Sequence, residues 1–216
     1  MEFRQEHLEQ CSLEDSLHPL HCPNLHGFRV TRHDMIVDEL ATFLRTMCPR
    51  AQVIRNPVIN TTDTGHKTVA DIQFVLDAHT TNIDVTVSFP GSMSYLADTK
   101  EDLLTNIDRA CDARTTAKMA LYRQHCPTEA LNNLVIFALD STGRLGKAAQ
   151  SFLDKVTGLA QANTEFSEHN QRQRRTFLRR VSTICVKGAA LEIKTWRQTV
   201  RVETNTTLTI DESLRD

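Results

Sequence analysis

The chain has 216 residues, 40% of them hydrophobic, with 25 Lys and Arg against 27 Asp and Glu, which suits one complete globular domain with a small appendage. No apolar run nears the roughly 20 residues a bilayer demands, and the acidic, polar opening MEFRQEHLEQ fits neither a secretory signal nor a transit peptide. No membrane partner and an intracellular address are therefore expected, with the cysteines at 11, 22, 48, 111, 126 and 185 reduced.

Residues 1–30 show no clear periodicity and are set apart as a separate small unit. From Asp34 onward Ile36, Leu40, Phe43, Leu44 and Met47 recur at helical spacing until Pro49 closes the pattern. AQVIRNPVI predicts a strand interrupted by Pro57, and TTDTGHKT a turn-rich loop. DIQFVLD and NIDVTVSF predict two further strands joined by the tight connection AHTT. After Pro90 and Gly91, a second helix is expected over 103–125, with Ile107, Cys111, Leu121 and Tyr122 on one stripe. LNNLVIFALD reads as a fourth, central strand, followed by a third helix over 145–156. The predicted α/β core over 31–160 is thus helix, three-strand meander, helix, strand, helix.

Residues 161–202 form a predicted basic helical extension. Between 171 and 201 stand nine basic residues, among them Arg172, Arg174, Arg175, Arg179 and Arg180, against one acid, Glu192. Such one-sided charge suits either a solvated face or phosphate contact. Phe177, Val181, Ile184 and Cys185 make its inward stripe, Gly188 is a plausible break, and 203–216 reads as a frayed tail.

Asp71 opens the second strand and Asp84 lies within the third, so strand pairing would bring the two carboxylates together. Within NIDVTV, Ile83, Val85 and Val87 share one face, and Asp84 shares the other with Thr86, although aspartate is disfavoured inside strands. Two converging carboxylates repel unless a cation lies between them. Hard oxygen donors suit Mg²⁺ or Mn²⁺, which would lower the pKa of a bound water and steady a phosphoryl oxygen. On the second helix Cys111, Arg114, Lys118 and Tyr122 stand three and four apart, so two cations interrupt an apolar face. Lys118 then either orients the attacking water or snorkels to the domain edge, and Arg114 is a candidate phosphate contact. Glu39 is open to two readings, a third metal ligand or a solvated glutamate.

The order of elements, with Asp71, Asp84 and Lys118 in sequence, resembles the PD-(D/E)XK restriction-endonuclease-like superfamily. The runs RHDMIVDEL, ADI before DVTV, the Ala117, Lys118 and Tyr122 pattern, and FALDSTGRLG resemble more narrowly the endonuclease-like domain that follows reverse transcriptase in site-specific non-LTR retrotransposons. The likeness covers residues 32–158. It implies a Mg²⁺-dependent DNA endonuclease belonging to or derived from a reverse-transcriptase polyprotein, and a nuclear address. Two positions depart from the pattern: Ala70 replaces the proline before the first aspartate, and Thr86 replaces the lysine two residues after the second acid. The resemblance then passes the lysine's role to Lys118, or leaves an inactive nuclease fold serving as a nucleic-acid or protein platform. A zinc knuckle commonly precedes such domains. His7, Cys11, His18 and Cys22 form two His-x-x-x-Cys pairs able to close a tetrahedral Zn²⁺ site, with His21 or His26 as substitutes. A zinc-dependent assembly protein with an RNA-binding tail is a further reading.

Overall fold

A computed structural model of the chain describes residues 26–89, 103–161 and 167–213. The predicted zinc ligands His7, Cys11, His18 and Cys22 lie outside the described residues. Six strands and five helices occur among those described. Helix α1 is His26–Met47, followed by strands β1 (Gln52–Arg55), β2 (Val58–Thr61), β3 (Lys67–Val69), β4 (Ile72–Leu76) and β5 (His79–Ser88). Then come α2 (Leu103–His125), α3 (Thr128–Asn132), β6 (Leu134–Asp140), α4 (Lys147–Gln161) and α5 (Ser167–Ser213). The chain divides into two units, one spanning Thr31–Val186 and the other drawn from the segments before and after it. None of the described helices is long and apolar enough to cross a membrane.

The larger unit is built on a mixed sheet ordered β1-β4-β5-β6, antiparallel except for the parallel β5–β6 pair. A parallel pair needs a long crossover, which α2 and α3 lie within. On one face Ile36, Leu40, Phe43 and Leu44 of α1, Phe152, Leu153 and Val156 of α4, and Phe177, Val181 and Cys185 of α5 bury Ile83, Val85 and Phe137. On the other face Cys111 and Tyr122 of α2 pack against Ile136 and Ala138 of β6. The apolar stripes expected of the first helix and of the basic segment are therefore the ones that face the core. Leu121 is not part of its expected stripe; it is 54% exposed, because the turn of α2 that seats Tyr122 directs its neighbour outward.

The three-strand meander is present as β1, β4 and β5, but the region around Pro57 departs from expectation. Asn56 adopts a positive φ of 52° and Pro57 offers no N–H, so the chain leaves the main sheet there. Instead of one interrupted strand and a loop, residues 58–69 form a separate ribbon in which β2 pairs antiparallel with β3. Helix α3 was not anticipated. The basic segment is one helix, running through Gly188 and on to Ser213 where a break and a frayed tail were expected. A glycine costs a helix interior only about 1 kcal/mol relative to alanine, and Ala189 and Ala190 beside it are the best helix formers. In the smaller unit, Glu192, the one acid of the basic run, is fully buried.

The β4–β5 hairpin fixes the register on which the site depends. Leu76 pairs with His79, leaving Asp77 and Ala78 as a two-residue turn, both at positive φ, 47° and 65°. Hairpins favour such turns because their twist matches that of the strands, yet alanine is strained there. Ala78→Gly should therefore stabilise the fold by about 1 kcal/mol, read as a higher urea midpoint at unchanged m value.

Candidate functional site

Strand β5 has ten residues and β4 five, so beyond the Ile72–Ile83 pair β5 runs on without its antiparallel neighbour. Asp71 sits at that step. Its N–H donates to the Ile83 carbonyl at 3.0 Å, and its Oδ2 accepts the Val85 N–H at 2.6 Å, capping a strand donor that β4 no longer reaches. Because side chains alternate along a strand, the Ile83–Ile72 register turns Ile83 and Val85 toward α1 and sends Asp84 and Thr86 to the α2 side.

Asp84 is 5% exposed. Helix α2 supplies what that burial requires. Lys118 Nζ lies 3.1 Å from Asp84 Oδ2 and 3.3 Å from Oδ1, and one turn later the Tyr122 hydroxyl donates to Oδ1 at 3.0 Å. One turn earlier Arg114 Nε donates to the Thr86 hydroxyl at 3.1 Å. The row Arg114, Lys118, Tyr122, one stripe by its fourfold spacing, thus lies along Thr86 and Asp84. Burial pushes the Asp84 carboxyl above the usual carboxylate range, opposed by the Lys118 charge and reinforced by the nearby Asp71 carboxylate. Tyr122 is pushed up by burial and by the Asp84 charge, so it remains a neutral donor. Its hydroxyl also lies 3.3 Å from the Val69 carbonyl of the ribbon, but a single proton serves one acceptor at a time.

The partner of Asp71 was not found from the sequence. His33 of α1 places Nε2 3.2 Å from Asp71 Oδ2 and 3.1 Å from the Val85 carbonyl, while Nδ1 lies 3.2 Å from Asp34 Oδ1. Both nitrogens face only acceptors, so both carry protons and the ring is an imidazolium. The hydrogen bond to Asp71 is the largest influence, and against the cost of burial it raises His33 to about 9. A signal was available: His33 precedes Ile36 and Leu40 at helical spacing, a titratable residue on the inward stripe of α1. Glu39 does not join the carboxylates. Six residues along α1 from His33 it has rotated away, and both its oxygens lie 3.5 Å from Arg180 Nη1.

The predicted basic residues fall into two sets. Arg180 is engaged by Glu39 and Arg174 by Asp154. Arg172, Arg175 and Arg179 are exposed at spacings of three and four, forming one outward stripe on α5. Asp140, at the end of β6, is fully buried and structural: its Oδ1 accepts from Thr142 N–H, the Thr142 hydroxyl and Arg144 N–H at 2.7, 2.7 and 2.9 Å. That turn brings Gly143, at φ 89°, against Ser182 of α5, where a Cβ would meet backbone at 2.6 Å. Cys48, Cys111, Cys126 and Cys185 are free thiols, and burial holds Cys111 and Cys185 up at about 12, so neither is a ready nucleophile.

Among the described residues no three His, Cys, Asp or Glu side chains form a ready-made metal cage. Protein-family models give no match to the chain, and curated proteins give none.

The His33 pairing has a measurable consequence. A cation favoured by the fold stabilises it fully below the unfolded value of 6.5, and that stabilisation disappears as pH rises through about 9. The expected loss is roughly 2 kcal/mol after allowance for solvent screening. Urea titrations from pH 6 to 10 with a chelator present should show this decline in the wild type and its absence in His33→Gln; parallel curves would refute the pairing.

Proposed function

We propose that the protein is a metal-dependent DNA endonuclease with a restriction-endonuclease-like core of the kind that follows reverse transcriptase in site-specific retrotransposons. The observation that carries this reading is the pairing of buried Asp84 with Lys118 where β5 outruns β4, with the Asp71 carboxylate near enough to act on the Asp84 charge. A sheet carrying a buried acid beside a partly buried one, with a lysine delivered from the next helix, has the donor chemistry of a phosphodiester-hydrolysing site. Glu39 is left out of the site.

The residues present fit Mg²⁺ or Mn²⁺. Such ions bind through one or two carboxylates and complete their shell with water and substrate phosphate, so a third protein ligand is not needed. Bound there, the ion would activate a water and neutralise charge on the phosphoryl oxygens. The remaining work falls to the chain. Tyr122 and Lys118 hold the Asp84 carboxylate in one orientation, and His33 and the Val85 N–H hold that of Asp71. Lys118 stands close enough to Asp84 to orient a water against phosphorus or to donate to a phosphoryl oxygen. Arg114 and the stripe Arg172, Arg175 and Arg179 supply phosphate contacts, and Arg174 and Arg180 serve in ion pairs. The N-terminal histidines and cysteines act in this proposal as a zinc knuckle, and a nuclear address follows from the same resemblance.

A second reading, an inactive nuclease fold acting as a DNA- or RNA-binding or protein-binding platform, has an observation of its own. Lys118 already compensates Asp84, His33 already compensates Asp71, and Thr86 carries no charge. Plasmid cleavage decides between them. Mg²⁺-dependent nicking is expected, abolished by Asp84→Ala, lowered about 10²-fold or more by Lys118→Ala and unchanged by Glu39→Ala. Cleavage that survives Asp84→Ala would sink the assignment, and DNA binding without Mg²⁺-dependent cleavage would favour the platform.

A further inference from the structure

Thr86 stands where a lysine would complete the superfamily pattern, and the simplest account is a loss. The geometry points to a different role: we propose that Thr86 is a positioning residue that aims Arg114 at the phosphate adjoining the scissile one. This rests on the nuclease reading for the location of the scissile phosphate, but not on cleavage itself.

Three observations carry it. Thr86 is 4% exposed and its hydroxyl accepts from Arg114 Nε at 3.1 Å, so the guanidinium is held through its inner nitrogen. Arg114 itself is exposed, and among the described residues its two terminal nitrogens have no carboxylate partner. Those nitrogens form the planar fork that matches a phosphate. A guanidinium tethered at Nε has lost much of the freedom that usually weakens a surface arginine, so its contact costs less entropy to form.

The spacing supplies the position. Thr86 follows Asp84 by two residues on β5, about 6.6 Å along the strand, and Arg114 precedes Lys118 by one turn of α2, about 6 Å. Both displacements run from the Asp84–Lys118 pair to the Thr86–Arg114 pair. They are comparable with the separation of successive phosphates on one nucleic-acid strand. A backbone whose scissile phosphate lies at Asp84 and Lys118 therefore brings its neighbour to Arg114. A lysine at position 86 would offer Nε no acceptor, so the arginine calls for a hydroxyl there.

The test reads binding of a short duplex, with Ca²⁺ replacing Mg²⁺ so that nothing is cut, as single neutral methylphosphonate linkages are walked along one strand. In the wild type the linkage next to the one bound at Asp84 and Lys118 is expected to weaken binding about tenfold. Arg114→Ala should erase that sensitivity, Thr86→Val should erase it equally, and Thr86→Ser, which keeps the hydroxyl, should retain it. The serine variant keeps the test decisive should the valine variant not fold. Sensitivity that persists in Arg114→Ala or in folded Thr86→Val, or that is lost in Thr86→Ser, overturns the assignment. Wild type that behaves as expected but cuts nothing when Mg²⁺ is restored defeats the nuclease reading and leaves only the Thr86-aimed phosphate contact of Arg114 standing; absence of any DNA binding defeats both.

Discussion

A carboxylate buried in the middle of a strand is the constraint around which this structure is arranged. Removing an ionised group from water costs several kcal/mol unless other groups replace the lost solvation. For Asp84 the replacement comes from Lys118 and Tyr122 on a single helix, at distances of 3.0 to 3.3 Å. The requirement reaches beyond the site, because it dictates where α2 must cross the sheet and which way it must be turned. An apolar residue at position 84 would be satisfied by any greasy helix face; an aspartate demands one with a cation and a hydroxyl a turn apart. The sheet and the helix thus specify one another through a polar contact where packing alone would leave the fit looser.

That contact holds only if β5 is in register. Slipping β5 by one residue against β4 would send Asp84 into the layer of α1, α4 and α5, where Ile36, Leu40 and Phe177 have no group to meet it. Two local features secure the register. The two-residue turn at Asp77 and Ala78 sets it from one end, and the Asp71 carboxylate, bound to Val85 N–H, pins it at the other. Asp71 is therefore a structural cap as well as a residue of the proposed site. His33 closes the arrangement by bridging Asp71 and the Val85 carbonyl, which ties α1 to the strand end from the opposite face.

Much of this was legible in the sequence, for a physical reason: the informative patterns were short in range. The alternation around Asp84 and Thr86 follows from strand geometry, and the spacing of Arg114, Lys118 and Tyr122 follows from helix geometry, so each row could be placed before their meeting was known. What could not be read depended on how elements turn against one another. Glu39 and His33 lie on the same helix, and only the docking of α1 decides which of them reaches the carboxylates. The ribbon of residues 58–69 was missed because its strands are three and four residues long, too short for a period to emerge, and because its pairing begins at a backbone reversal at Asn56. Gly188 misled in the opposite direction, since a mild local penalty gave way to the continuity of a long helix.

The basic residues illustrate how a charge run changes meaning once it is folded. In sequence Arg172, Arg174, Arg175, Arg179 and Arg180 form one cluster. On α5 two of them pair with Asp154 and Glu39, which links α5 to α4 and α1 at the surface. The other three point outward from the helical layer on one face of the sheet, whereas Arg114 belongs to the α2 layer on the other. The two sets of unspent cations therefore form two surfaces. Contacts from the α5 stripe, spread over two turns of an exposed helix, would be screened by salt and indifferent to sequence. Arg114, tethered to a buried hydroxyl beside the carboxylates, would act on one phosphate. Under the proposed function, holding polyanion near the domain and choosing which bond faces Asp84 would be separable tasks, carried on opposite sides of one sheet.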